Sequence, residues 1–492
     1  MLKPIIKEQG VNESERELGA IIDGTFLSLW SFPCVYTDEG FPKNGIGKEL
    51  SDLVVYFDRT LIVFSDKNIA FHEHKPLAVA WRRWYEKSIV RSARQLHGAE
   101  KSIRERPNSI FLDKRCTHPF PYDLSGDDLK IHLIGITYNT VTPAKKYYNK
   151  HCVNSGSSGS MIGYYSLSPE QLNKFPYAIG DVNVDKTFVH VVDVNSLKLL
   201  LSELTTIKDF VSYLESKENA IRERGLTMVM GEEDLLGHYI LEAGAKGFGR
   251  IDLPAFEPDS AFVIPEGEWA KLNNSSAGLA HRAAKIQSKP WNSILKDFSD
   301  CITDALVGEG AHLPLAIHEQ AVRSLASENL FARAALGRAL AEKYENTPVN
   351  IRSARLMYSP CDPGRLYVFL MYPLNLGEDY ASYLQERNAC MQLYGLVAMY
   401  QHPTAREIVV LGANCKGSVG SSESLLVIDG TVALTAEGRR DAVKVMREHN
   451  ILFDMRTPKR RSATIVEDSR TYSRNEPCPC QSGLKYKKCC LR

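Results

Sequence analysis

The densest chemistry in the sequence lies at its end. Cys478 and Cys480 form a C-x-C pair and Cys489 and Cys490 a C-C pair, with eight residues between them. Thiolates bind zinc tetrahedrally, and two short pairs joined by a small turn supply four ligands. A segment this short cannot build a hydrophobic core, so metal binding would itself provide the folding energy. The alternative is a tail of reactive or disulfide-bonded thiols, which a reducing compartment disfavours.

A second pattern lies near the start. Glu49-Leu50-Ser51-Asp52-Leu53-Val54-Val55 is followed by Leu61-Ile62-Val63-Phe64-Ser65-Asp66-Lys67. An acidic residue opens one apolar run, and a lysine stands just past the next. In a hairpin these ends come together. Carboxylates hold a hard divalent cation through oxygen. Such a cation polarises a phosphate and acidifies a water, and a nearby lysine orients that water or stabilises developing negative charge. The plain alternative is an Asp and a Lys at the ends of exposed strands.

Both patterns resemble known families. Arg474-Asn475-Glu476-Pro477-Cys478-Pro479-Cys480 and Lys485-Tyr486-Lys487-Lys488-Cys489-Cys490 resemble the SEC-C motif, found at the C-terminus of the preprotein-translocase motor ATPase. Gln481 stands where that family usually has Gly and removes no ligand. The resemblance implies a structural zinc module, rimmed by Lys485, Lys487, Lys488 and Arg492, that docks onto a chaperone, a ribosome or another macromolecule. It implies no catalysis, because protein fills all four zinc positions.

The hairpin resembles the PD-(D/E)XK nuclease superfamily, in particular its Mrr-like and NERD-like branches. Those carry an acidic residue on a first helix, Asp and then Glu-x-Lys on a hairpin, and Gln on a following helix. Carried over, Asp52 matches the metal-binding Asp, Lys67 the motif lysine, Gln95 the helix Gln and Glu17 the first-helix acid. Ser65 occupies the Glu position of Glu-x-Lys. Some superfamily members share Ser-x-Lys and recruit a carboxylate from the next helix, where Glu86 is the candidate. The resemblance implies Mg²⁺- or Mn²⁺-dependent phosphodiester hydrolysis in DNA or RNA. Genome defence or DNA processing would suit it by association. The competing expectation is a non-catalytic adaptor with a degenerate nuclease fold, recruiting its partner through the tail.

The elements that must position these residues follow from periodicity. A helix is expected over 1–31. Leu53–Phe57 and Leu61–Phe64 have the length and β-branched content of a hairpin. Over 81–103, Trp81, Trp84, Tyr85, Ser88, Ile89, Ser92, Leu96, Ala99 and Ile103 form one helical stripe, with Gln95 inside it. Beside it run Arg83, Lys87, Arg91, Arg94 and Lys101. Five like charges on one face repel unless an anion answers them; a phosphate backbone would do so, and a solvated face is the alternative. Strands are expected at Ile131–Tyr138 and Phe188–Val192, and a helix around Ile207–Leu214. A long helix spans His318–Tyr344. Strands Arg355–Tyr358 and Leu366–Tyr372, a helix near 380–400, strands 407–413 and 423–428 and a helix near 436–448 complete a second α+β region.

The expected class is therefore α/β and α+β, multidomain. A nuclease-like small mixed sheet flanked by helices spans 1–165, a mixed α/β region 166–310 and an α+β domain 311–455. A basic linker runs over 456–472, and the zinc module over 473–492. The chain has 492 residues, 44% hydrophobic and 24% charged, with 60 Lys and Arg against 59 Asp and Glu. That balance excludes a globally basic nucleic-acid binder but not a local basic face. No apolar run reaches a membrane span, and the start lacks a secretory signal core. Seven of 11 cysteines are scattered singly, which points to a reducing, cytoplasmic compartment. His72-Glu73-His74 lies in a polar turn. Gly244, Gly247 and Gly249 lack dinucleotide spacing, and Gly231-Glu232-Glu233-Asp234 reads as the acidic start of a helix.

Overall fold

A computed structural model describes residues 2–8, 10, 13–151, 158–243, 251, 253, 261–308, 310–375, 377–417, 422–453, 474–475 and 485–488. Two compact units emerge, residues 1–279 with 292–331, and residues 280–291 with 332–492. The class is mixed α/β and multidomain, as the periodicities predict.

The first unit is organised by a six-stranded sheet. Its strands are β1 (Ser31–Thr37), β2 (Lys48–Phe57), β3 (Thr60–Lys67), β4 (Ile110–Phe111) and β5 (Lys130–Thr137). After β6 (Ile162–Tyr164) and β7 (Ala178–Ile179), which belong to a second sheet, β8 (Val189–Asp193) completes it. The spatial order is β4-β1-β2-β3-β5-β8. β1, β2 and β3 are antiparallel neighbours, whereas β3, β5 and β8 run parallel. The sheet thus takes a strand from beyond residue 165, so the 1–165 segment lacks one edge of its own sheet. The second sheet adds β9 (Leu226–Val229) and β10 (Phe262–Ile264) in the order β10-β9-β6-β7.

The expected hairpin forms with a two-residue connection, Phe57 pairing with Thr60. Asp58 and Arg59 both take positive φ, 44° and 62°, the backbone that a tight antiparallel hairpin requires. Arg59 is held there by Asp128, at 2.9 and 2.8 Å, and by the Asp123 carbonyl at 2.7 Å.

The 81–103 stripe is buried throughout, and it spans three consecutive pieces: Leu77–Tyr85, a π turn Glu86–Val90 and Arg91–Glu105. The wider turn lets Ser88, Ile89, Ser92 and Ala93 all face inward. Trp81 and Trp84 stack at 5.3 Å and pack with Leu61, Val63, Ile131, Leu133 and Val191. The first helix is shorter than expected, Glu13–Phe26, because β1 begins at Ser31. The predicted His318–Tyr344 helix is two helices, Leu315–Ala326 and Leu330–Asn346. Asp209 accepts the Leu330 N–H at 2.8 Å, which satisfies a helix-start donor and favours the break.

The second unit carries β11 (Ser353–Tyr358), β12 (Arg365–Tyr372), β13 (Glu407–Asn414) and β14 (Glu423–Asp429) in sequence order. β12 and β13 are parallel, and the helix Tyr380–Gln401 makes the crossover that parallel strands need. Each predicted element here appears within a few residues of its expected ends, including the helix Ala436–Glu448.

Candidate metal-binding carboxylate group on the hairpin

The β2–β3 ladder stops at Leu53 and Phe64. Just beyond it the Asp52 side chain replaces a ladder partner, its Oδ2 accepting the Asp66 N–H at 2.5 Å. Ser51 Oγ closes the same corner by donating to the Leu53 carbonyl at 2.8 Å. Asp52 is therefore held by main chain at the mouth of the hairpin and is only 6% exposed.

Its surroundings are acidic. Burial pushes the Asp52 carboxyl up to about 6; the Asp66 N–H and Lys67 oppose that rise, and Glu49 and Glu15 add to it. Asp66 is also raised, chiefly by burial, against hydrogen bonds from the Ser14 and Tyr138 hydroxyls; Glu15 and Lys67 act on it too. Glu49, at the exposed start of β2, is raised by partial desolvation and by Glu15, with Lys67 opposing. Glu15 and Lys67 thus act on each of Glu49, Asp52 and Asp66. Asp66 Oδ1 is buried and has no hydrogen-bond partner among the described residues. Among the described residues no three of these carboxylates bring ligand atoms within 4.8 Å of one another.

The structure redistributes the roles expected from the sequence. Lys67 acts electrostatically on Asp52. Glu17 is exposed and pairs with Lys198 at 2.5 Å; it acts on the Tyr138 hydroxyl that also bonds Asp66. Glu86 lies in the π turn and pairs with Arg94 at 3.4 Å. Ser65 is 1% exposed, on the strand face shared with Leu61 and Val63 against the helices. Its Oγ has no partner among the described residues, and the same holds for Ser88 and Ser92 Oγ. Gln95 is half-buried on Arg91–Glu105, and it is neither a hydrogen-bond partner nor an electrostatic neighbour of Asp52 or Asp66.

Sequence pattern alone does not bring Glu15 and Asp66 into the site. Strand alternation sets Asp66 on the face opposite Ser65; its N–H reaches the Asp52 carboxylate, while its own carboxyl takes hydrogen bonds from the Ser14 and Tyr138 hydroxyls. Glu15 is recoverable from helix phase. Leu18, Ile22 and Phe26 are the buried line of Glu13–Phe26. Glu15, three residues before Leu18, lies nearer that line than Glu17 does.

Arg83, Lys87, Arg91, Arg94 and Lys101 are all exposed. Arg94 pairs with Glu86 and Lys101 with Glu105 at 3.7 Å; no ion pair is found for Arg83, Lys87 or Arg91 among the described residues. The tail cysteines Cys478, Cys480, Cys489 and Cys490, and the linker 456–472, lie outside the described residues. Among the described residues no helix is long and apolar enough to cross a membrane.

Comparison with known proteins bears on the tail. The SEC-C motif matches residues 474–492, so this zinc-binding type of motif is present. The Protein translocase subunit SecA of Syntrophotalea carbinolica (strain DSM 2380 / NBRC 103641 / GraBd1) is 65% identical over 26 residues, 5% of this chain and 3% of that protein. The chain thus spans a small fraction of that relative's length. No solved structure matches.

Proposed function

We propose that the chain is a divalent-metal-dependent phosphodiesterase acting on DNA or RNA, carrying a C-terminal zinc module that docks it onto a protein partner in the cytoplasm. The carrying observation is the coupled group of Glu15, Glu49, Asp52, Asp66 and Lys67, with its orphaned Asp66 oxygen. Asp52 and Asp66 would hold the ion, with water completing the oxygen set. A bound Mg²⁺ or Mn²⁺ would polarise the phosphate and acidify a water. Lys67 brings a positive charge to the same corner, where it can hold the water or offset charge on the phosphate. The unpaired Arg83, Lys87 and Arg91 offer a track for a phosphate backbone. In this reading Asp66 takes the place left by Ser65, and neither Glu86 nor Glu17 is needed.

The test is cleavage of single- and double-stranded DNA and RNA with Mg²⁺ or Mn²⁺, alongside Mn²⁺ binding to the full chain. No cleavage of any substrate and no bound Mn²⁺ would remove this reading.

The adaptor reading is favoured by a separate pair of observations, the SEC-C match and the interior position of Ser65. In both readings Cys478, Cys480, Cys489 and Cys490 hold one zinc ion. Metal analysis of the full chain should lose about one equivalent on combined Cys478→Ser and Cys489→Ser substitution; unchanged zinc would exclude the assignment.

A further inference from the structure

A second polar cluster lies in the same sheet and is independent of the hairpin. His132 is on β5 and His190 on β8. Ile134 pairs with His190, and His132 stands two residues before Ile134, so both imidazoles project from one face. The opposite face, bearing Leu133, Val189 and Val191, packs into the Trp81–Trp84 core. The imidazole face meets the helix Ile207–Arg222, which supplies Glu218. One ligand atom from each of His132, His190 and Glu218 lies within 4.8 Å of the others.

The two histidines are 6% and 1% exposed. His132 Nε2 and both ring nitrogens of His190 are buried without a hydrogen-bond partner among the described residues. A neutral imidazole carries one donor and one acceptor, so His190 leaves both unanswered in the interior. Unsatisfied buried polar atoms are rare and call for a cause. Burial also favours the neutral form of both rings, the form that ligates metal.

We infer that His132, His190 and Glu218 form a binding site for a borderline divalent transition ion of the zinc class, tying the helix Ile207–Arg222 to the sheet. Two nitrogens and one carboxylate suit zinc, iron or cobalt, whereas magnesium and calcium prefer all-oxygen sets. Ligands around a tetrahedral zinc stand roughly 3.4 Å apart, so the three atoms need only a modest approach. Three protein ligands leave one position for water. Glu218, with its side chain 32% exposed, provides the entry side.

The nearby cations are already answered. Lys217 pairs with Glu232 at 2.6 Å and Arg222 with Asp181 at 2.8 Å. Arg222 also approaches Glu218, but only to 3.9 Å. Lys130 and Glu215, paired at 2.9 Å, clamp the same helix to β5 beside the site.

The test uses the full chain with Cys478, Cys480, Cys489 and Cys490 changed to Ser, so that tail thiolates do not compete. After chelator treatment it is titrated with Co²⁺. With excess Mg²⁺ present to fill the hairpin carboxylates, we expect about one equivalent bound, with a visible ligand-field band, no thiolate charge-transfer band, and a raised melting temperature. Glu218→Gln, partly exposed and isosteric, should weaken Co²⁺ by about tenfold or more; His132→Gln should abolish the band. A folded chain that binds no Co²⁺ overturns the proposal. So does Co²⁺ bound with equal affinity in Glu218→Gln and His132→Gln, which places the ion elsewhere. Neither outcome bears on nucleic-acid cleavage.

Discussion

The mouth of the hairpin and the β5–β8 face are both buried polar clusters of one sheet, yet their electrostatics run in opposite directions. At the hairpin, burial and the charge of Glu15 push Asp52, Asp66 and Glu49 upward. At the β5–β8 face, burial pushes His132 and His190 downward. Each environment disfavours the charged form of its own groups, and each leaves a ligand atom unanswered: Asp66 Oδ1 in one, imidazole nitrogens in the other. In the two proposals the donor type selects the ion. Oxygen donors with a lysine beside them suit a hard cation and a phosphate, whereas neutral nitrogens with one carboxylate suit a borderline ion. Polar groups buried at a cost to stability suggest where a fold accommodates function.

The largest expected effect falls on catalysis and separates the hairpin from its surroundings. Asp52→Ala and Lys67→Ala should each lower divalent-dependent cleavage by about 10²-fold or more. Glu17→Ala and Glu86→Ala should stay within about twofold, since Glu17 is paired with Lys198 and Glu86 with Arg94 at the surface. Cleavage that survives Asp52→Ala moves the chemistry elsewhere.

Ser65→Glu comes next. A carboxylate placed on that interior face would be buried and unpaired, at a cost of about 3 kcal/mol or more, read as loss of the cooperative melt. An intact melt with higher activity would return the motif role to position 65.

The pH response sharpens the contrast in sign. Asp52 has its carboxyl raised from 3.8 to about 6, so the folded state holds more protons than the unfolded state between those values. Its contribution to stability is therefore lost as pH rises through that window. Asp52→Asn keeps an oxygen acceptor for the Asp66 N–H and removes the charge. It should stabilise the chain by about 1–3 kcal/mol at pH 7.5 while weakening Mn²⁺ binding. His132 and His190 act oppositely. Their folded-state values lie below 6.5, so their contribution is present above that pH and is lost as pH falls below it. Denaturant melts of wild type, Asp52→Asn and His132→Gln across pH 4–8 separate the two. A wild type and Asp52→Asn of equal stability at pH 7.5 would show that Asp52 carries no buried-charge penalty.

The smallest effect is on binding. Reversing Arg83, Lys87 and Arg91 to Glu should weaken nucleic-acid affinity and flatten its salt dependence, by roughly one unit of log–log slope for each phosphate no longer neutralised. Unaltered binding at low salt would make the stripe an ordinary solvated face.

Much of this molecule can be read from local pattern. The hairpin follows from two β-branched runs around a short turn, and the buried face of 81–103 from its spacing. The tail's chemistry is written contiguously, Cys478 to Cys490, so its motif is recognisable without a fold. Register and helix phase are not local. Glu15 rather than Glu17 meets the carboxylates because packing rotates Glu13–Phe26 with Leu18, Ile22 and Phe26 inward. The Asp66 N–H meets the Asp52 carboxylate because the hairpin ladder ends at Leu53 and Phe64. His132 and His190 sit in strands that read as ordinary core, 58 positions apart by their numbering, until parallel pairing of β5 with β8 sets them on one face. Periodicity reports which side of one element is apolar. The meeting of polar groups from distant elements is decided by how strands pair and helices roll, and those depend on the packing of the whole core.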